Sequence, residues 1–319
     1  MYPTMVDINL QLPENFLESE IRDGYLVSSE MKEIWAVQLD LLNEFIRVCK
    51  KYNLTYYADG GTLLGAVRHK GIIPWDDDID VMMFRTDYEK LCKIAQEEFQ
   101  HPYFFQTEYT DPGSLRSHAQ LRNSNTTAIL KSNLDKDFTF NQGIFLDIFV
   151  LDAVPDNEQL FDAQLSAIET LKRKTFDFAS YTNRYEVTTS NKFKHIIKYV
   201  LHIVLSFYYK ITKRPNKYFV KLQKEITKYN KSETQRVAKY FDIPMNKKRR
   251  VWNRNIFTSS VEIPFEMFNI SVPIGYIELL DQFYGSWKEY KIGTATHGEV
   301  IFDTNTDYKE YLIKMRSNT

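Results

Sequence analysis

The sequence predicts an α/β fold of the α+β kind, with a mixed sheet core and flanking helices over residues 1–156 and a mostly helical, basic region over 157–319. Three observations predict it. Helix-period and strand-period apolar patterns alternate through the first half, which a mixed core requires. A glycine pair joins a short strand to a short helix just ahead of an acidic strand. Past Asp156 the pattern turns helical and the chemistry-bearing motifs thin out. With 319 residues, 43% of them apolar and 15% aromatic, the chain has ample material for a buried core.

Ser28 and Ser29 precede a run from Glu30 to Lys51 in which Met31, Ile34, Trp35, Leu42, Phe45, Ile46 and Cys49 recur at helical spacing, so an amphipathic helix is expected there. A first strand follows at 54–58, then the Gly60-Gly61 turn and a short helix from Leu63 to Val67. The acidic strand is expected over Ile79–Phe84 and a second long helix over Thr86–Phe99. Tyr103-Phe104-Phe105 and Ala119–Arg122 read as strands with Asp111-Pro112-Gly113 as a turn between them, and Gly143–Val150 as a buried strand. Three helices are expected over 158–178, 192–212 and 216–227. Cys49 and Cys92 sit in apolar helical patterns without metal-type spacing and read as free thiols.

The chemistry concentrates between Asp59 and Asp80. Glycines at 60 and 61 let backbone approach a ligand closely, and the unpaired N–H groups at the following helix start suit an anion. Asp78 and Asp80 are two residues apart, so on a strand they share a face, with Asp76 on the same alternation and Asp77 turned away to fix the loop. Adjacent carboxylates repel unless a hard cation lies between them. Asp147 interrupts an otherwise apolar strand; it either accepts hydrogen bonds from a nearby cap or completes the same metal site.

The stretch Asp59-Gly-Gly-Thr-Leu-Leu-Gly-Ala-Val-Arg-His-Lys-Gly-Ile-Ile-Pro-Trp-Asp-Asp-Asp-Ile-Asp80 resembles the signature of the LicD family, phosphotransferases of the nucleotidyltransferase-fold superfamily related to fukutin-type enzymes. The likeness continues at Leu121-Arg122-Asn123, at Thr126 and Thr127 and at Gly143–Phe149, and loosely at Tyr284-Gly285 and His297; it is good over residues 30–155 and thin beyond. The resemblance implies a nucleotidyltransferase-like catalytic core in which Asp78, Asp80, Asp147 and Asp76 hold one or two Mg2+ or Mn2+ ions, the first three being catalytic. It implies substrate contacts from Asp59, Gly60, Gly61 and Thr62; Arg68, Lys70 and Arg122 are either charge clamps on a diphosphate or surface cations paired with acids, and His297 either assists at the donor phosphate or is an ordinary surface or core histidine. Trp75 either forms part of an aromatic cage for a quaternary ammonium or packs the start of the strand. The donor implied is CDP-choline or another CDP-alcohol, with CMP leaving. The acceptor is a sugar hydroxyl of a cell-envelope glycan, such as a teichoic acid or lipopolysaccharide, or of its lipid-linked precursor.

Net charge is −1, yet unevenly spread: 18 of the 41 basic residues and only 3 of the 42 acidic ones lie between Asn191 and Arg254, leaving 23 against 39 elsewhere. A basic lobe suits nucleic acid, anionic lipid or a phosphorylated glycan, or is simply a set of solvated helix faces. No nucleic-acid motif accompanies it, so no nucleic-acid partner is expected. The 196–209 run is broken by Lys198 and His202 and too short to span a bilayer; it suits either a helix at an anionic membrane surface or a buried core helix. No secretory signal is visible at the start, which reads as a cytoplasmic protein, peripheral at most to the inner face of the membrane. Rival readings are a glycosyltransferase or nucleotidyltransferase with an Asp-x-Asp metal site, or a non-catalytic membrane adaptor using the basic lobe.

Overall fold

The computed structural model describes residues 5–134, 136, 138–182, 192–240, 250–293 and 298–317. A small hairpin, β1 (Glu20–Arg22) and β2 (Tyr25–Val27), leads to the long helix α1 (Ser29–Tyr52). The Ser28 hydroxyl accepts from Met31 N–H at 3.3 Å and caps α1, and Asn53 ends it in the left-handed region with φ 51°. Then come β3 (Tyr57–Ala58), α2 (Gly60–His69), β4 (Asp80–Phe84), α3 (Arg85–Glu98), β5 (Tyr103–Gln106), β6 (Ala119–Asn123), β7 (Thr127–Leu130) and β8 (Ile144–Val154). The second half holds α4 (Glu158–Thr182), α5 (Lys192–Thr212), α6 (Lys217–Ile226), β9 (Arg236–Ala238), β10 (Val251–Asn253), β11 (Ser260–Phe265), β12 (Phe268–Pro273), α7 (Tyr276–Tyr284), β13 (Val300–Asp303) and α8 (Tyr308–Ser317). The mixed α/β class expected from the pattern is what forms.

The main sheet is organised on β8, whose eleven residues serve two neighbours on one side. Along 147–151 it runs parallel to β4, with Asp80 opposite Asp147, and along 144–148 antiparallel to β6, with Gln120 opposite the same Asp147. Its second half pairs with β9, Asp152 opposite Ala238, and β10 extends that arm. The division expected at residue 156 therefore falls inside one sheet. β13 pairs with β7, and the β11–β12 hairpin packs on β3. The strands of three to six residues after 157 are additions to the sequence reading: β9 and β10 lie among basic and polar residues with no alternation, whereas Val261, Ile263 and Phe265 in β11 and Phe268, Ile270 and Val272 in β12 do alternate and were a readable signal.

The apolar face of α1, with Trp35, Leu39, Leu42 and Phe45 fully buried, packs on β6 and β8. The same helix steadies the acidic loop ahead of β4. Trp35 Nε1 donates to Asp76 O at 2.9 Å and Gln38 Nε2 to Asp77 O at 2.6 Å. A second, smaller core joins α4 and α6 to the far end of β8 through Phe161, Leu165, Leu222, Ile226 and Tyr240. Cys49 and Cys92 are free thiols.

Candidate functional site

The site forms where the head of α2, the start of β4 and the start of β8 meet. Asp59 caps α2: its Oδ1 accepts from Gly60 N–H at 2.8 Å, and its own N–H donates to Asp80 O at 3.0 Å. Thr62 Oγ1 accepts the Asp80 N–H at 2.8 Å and Ile79 O accepts the Asp147 N–H at 3.0 Å, so turn, loop and two strands are laced through one peptide. The glycines are there because carboxylates press on them. A Cβ on Gly61 would lie 2.3 Å from Asp76 Oδ2, and one on Gly60, whose φ is +50°, 3.2 Å from Asp80 Oδ2. Past Gly60 the N–H groups of Gly61 and Thr62 stand at the head of the helix, where no earlier turn supplies an acceptor.

Asp80 is the electrostatic centre. Its Oδ1 is shut off from solvent and has no hydrogen-bond partner. Burial, then the charges of Asp78, Asp147 and Asp59, push its carboxyl well above the usual range, with Lys239 opposing. Asp147 goes the other way. Burial raises it, yet His118, Arg116 and Gln120 together hold it below the usual range; His118 Nε2 lies 3.0 Å and Gln120 Nε2 2.6 Å from its Oδ1. Two carboxylates side by side on one sheet are thus driven apart in acidity, which is a feature of sites that use both protonation states.

Asp76, Asp77 and Asp78 bring carboxylate oxygens within 4.8 Å of one another, spacing that fits a metal ion. That corrects the expectation for Asp77. The alternation rule that turned it away applies to a strand, whereas residues 76–79 form a loop and β4 begins only at Asp80.

The expected cations lie elsewhere. Arg122 is almost fully buried: its guanidinium donates to Gln106 Oε1 at 2.6 Å, to Gly143 O and to Gln120 Oε1, and burial lowers its pKa to about 9. In place of a diphosphate clamp it is the anchor that orients Gln120 toward Asp147. Arg68 donates to the carbonyls of Trp287 at 3.1 Å and Glu289 at 3.2 Å, tying the 287–290 segment to α2. Lys70 is exposed at the C-terminal cap of α2, which over ten residues is about 15 Å from the glycine turn. Trp75 meets Tyr25 at 5.8 Å and His69 at 6.1 Å edge-on, with the Arg68 guanidinium 6.0 Å from its ring centre. A cation therefore already lies against the ring expected to cage a quaternary ammonium. His297 falls outside the described residues.

Several residues that the sequence reading did not single out are here, together with Tyr284, where the resemblance was loose. Lys239 forms a buried ion pair with Asp59 and lies 4.4 Å from the Phe149 ring centre, while His118 sits 4.6 Å from the same ring. Ser117, His118, Phe149, Asp152, Arg85 and Lys239 line a pocket beside Asp147, and Ser117 Oγ and His118 Nδ1 there are buried without a partner. Tyr284 ends α7 facing the carboxylates: burial, then the charges of Asp59, Asp76, Asp80 and Asp78, push its hydroxyl pKa up. The polar alternation of His118, Gln120 and Arg122 leading into a buried strand was the readable signal for His118, and for Gln120 beside it. Lys239 carried none within its basic surroundings.

Residues 53–150, which include the turn, the acidic loop and Asp147, match the family of LicD/FKTN/FKRP nucleotidyltransferase domains. The chain carries a LicD-family domain. Over 268 residues, 81% of this chain and 91% of the relative, it is 26% identical to the lipopolysaccharide cholinephosphotransferase LicD of Haemophilus influenzae. Shorter likenesses are 43% over 42 residues to the human ribitol 5-phosphate transferase FKRP, 13% of this chain and 8% of that one, and 41% over 70 residues to the uncharacterized protein RP689 of Rickettsia prowazekii, 22% and 24%. The characterised relatives among these are named as a cholinephosphotransferase and a ribitol 5-phosphate transferase.

Proposed function

We propose that the protein is a metal-dependent phosphotransferase that moves phosphocholine, or a related phospho-alcohol, from a CDP-activated donor to a sugar hydroxyl of a glycan or its lipid-linked precursor, releasing CMP. The observation that carries this reading is Asp80, with a buried unpartnered oxygen beside Asp147 and a carboxyl pKa pushed up by burial and three neighbouring acids. Such an arrangement is costly for a fold and is expected where a cation or a proton is part of the function. The donors are all carboxylate oxygens, a hard set that fits Mg2+ or Mn2+: Asp76, Asp77 and Asp78 lie together, Asp80 and Asp147 are paired on the adjoining strands, and these are the residues that would hold one or two ions. Bound there, an ion neutralises diphosphate charge and acidifies an acceptor hydroxyl.

The chain's own residues supply the rest. The Gly61 and Thr62 N–H groups receive phosphate oxygens, with the dipole of α2 adding positive potential at that end. Asp147 Oδ1 is held by His118 and Gln120, which leaves Oδ2 to orient the incoming hydroxyl; kept ionised below the usual range, it positions the nucleophile along the line of attack. Ser117 Oγ and His118 Nδ1, buried beside it without partners, are polar atoms left over for an acceptor hydroxyl or a bridging water. The relatives' names, a cholinephosphotransferase acting on lipopolysaccharide and a ribitol 5-phosphate transferase, support a phospho-alcohol as the group moved.

The test is nucleotide release from CDP-choline, CDP-ribitol, CDP-glycerol, CTP and UDP-sugars with Mg2+ or EDTA, with and without an envelope glycolipid extract. CMP release from one CDP-alcohol that needs Mg2+ and is lost in Asp78→Asn is expected. UDP release would move the protein to the glycosyltransferase class, and pyrophosphate from CTP to nucleotidyl transfer.

A further inference from the structure

The helix α5 is built inside out. Its 21 residues extend about 31 Å. Phe193, Ile196, Val200, Val204, Phe207 and Ile211 recur at steps of three and four and so form one face, and each is 53–72% exposed. Ile197, Leu201 and Tyr208 widen that face and are also exposed. The residues turned inward are the more polar ones. Lys198, His202, Leu205, Ser206 and Tyr209 are half-buried, His202 Nδ1 lies 2.8 Å from Tyr181 O of α4, and the Tyr209 ring meets Phe178 of α4 at 5.6 Å. The structure thus decides against the core-helix reading of 192–212. An uninterrupted apolar stripe of this length on a protein surface marks an interaction.

Charge identifies what covers it. Between residues 192 and 224 the chain has nine Lys and Arg and no Asp or Glu. On the helical wheel Lys194 and Lys210 fall on opposite borders of the apolar face, and Lys213, Arg214, Lys217 and Lys221 follow at its C-terminal end. A second copy docked symmetrically would set one lysine rim against another, like charge facing like, which opposes that arrangement. A protein groove takes such a helix at a few i, i+3, i+4, i+7 anchors, whereas here the exposed apolar face runs the full length of the helix with a lysine on each border. No described helix is long and apolar enough to cross a membrane. What remains is a surface that is apolar below, anionic at the rim and laterally uniform.

We propose that α5 lies in the headgroup plane of an anionic bilayer, with its apolar face in the acyl boundary and Lys194 and Lys210 at the phosphates. This is a binding property of the full chain in the absence of substrate, so its success or failure is read without turnover.

The test is sedimentation of the full-length protein with phosphatidylcholine vesicles, alone or with about 30 mol% phosphatidylglycerol. Binding is expected to be about tenfold or more stronger with the anionic lipid and to weaken with salt. The pair Val204→Asp with Phe207→Ser should lower binding about tenfold or more, and Lys194→Glu with Lys210→Glu should remove the preference for anionic lipid. Because these side chains face outward, circular dichroism and Tm should match the unaltered protein. Absence of vesicle binding, equal binding by the Val204→Asp, Phe207→Ser protein, or a dimer in light scattering that this variant breaks would each overturn the proposal, the last assigning the face to a second copy.

Discussion

Asp80 shows how one residue carries opposed demands. Its carboxyl pKa is raised, so the ionised form costs the metal-free fold stability, a cost absent below the ordinary Asp range and full above the raised native value. Asp80→Asn should therefore melt about 2–4 °C higher than the unaltered protein at pH 8 without metal, the gap closing as pH falls toward the ordinary carboxylate range. Mg2+ should raise the Tm of the unaltered protein and leave the variant unmoved. Differential scanning calorimetry with and without Mg2+ checks both; a lower Tm for the variant in EDTA would contradict the account. The partner that keeps this acid cluster foldable is Lys239, which is buried with Asp59. Lys239→Met should cost about 3–5 kcal/mol in urea unfolding because it strands a buried charge, and Asp59→Asn added to it should recover much of that loss. If the single and double variants are equally destabilised, the pair is not what holds the head of α2 to the second half of the chain.

At the scale of elements, the turn between β3 and α2 and the loop ahead of β4 behave as one unit. Gly61 has room for no side chain because Asp76 occupies the space, so Gly61→Ala should push that carboxylate aside. Turnover should fall about 10- to 100-fold, since small misplacements of binding groups are felt strongly, while the half-buried Asp76 limits the stability change to about 1 kcal/mol. Steady-state kinetics beside urea unfolding separates the two effects. The motif was readable because its residues are close in sequence; what the spacing did not convey is that the acids precede the strand, which brings Asp77 into the cluster. A second unit joins α1 to α3. Glu98 accepts from Lys51 Nζ and Tyr52 OH, each at 2.6 Å, and from Arg47, and these partners lower its carboxyl pKa to about 2. A native value below the unfolded one means stability that is full above the ordinary Glu range and lost as pH falls toward 2. The Tm of Glu98→Gln should lie below that of the unaltered protein at pH 7, and the two should converge near pH 2.

Across the whole molecule, β8 links what the sequence reading separated. Most of the helix and strand order up to residue 154 was legible from local periodicity, the β1–β2 hairpin and β7 excepted, while Asp78 and Asp80 stood out by their spacing and Asp147 as a charge inside an apolar strand. The return of the chain was not: β9 joins the sheet at Asp152, and Lys239 reaches Asp59 from 180 residues away, through contacts that no local pattern encodes. Arg122 illustrates the same gap from the other side. Its sequence neighbourhood suggested a phosphate clamp, and only packing reveals a buried anchor for Gln120. Helix α5 was assigned its boundaries from periodicity, while the direction its apolar face points depended on what it docks against. The central claim is that this one carboxylate site, assembled from both halves of the chain, breaks a CDP-alcohol between its two phosphorus atoms. The most direct measurement is 31P NMR of the protein with CDP-choline, Mg2+ and a glycolipid acceptor. The account predicts that the diphosphate signals decay into one CMP monoester and one new phosphodiester, with no decay in Asp80→Asn. A diphosphate that stays intact with active acceptor present, or one that decays equally in the variant, would contradict it.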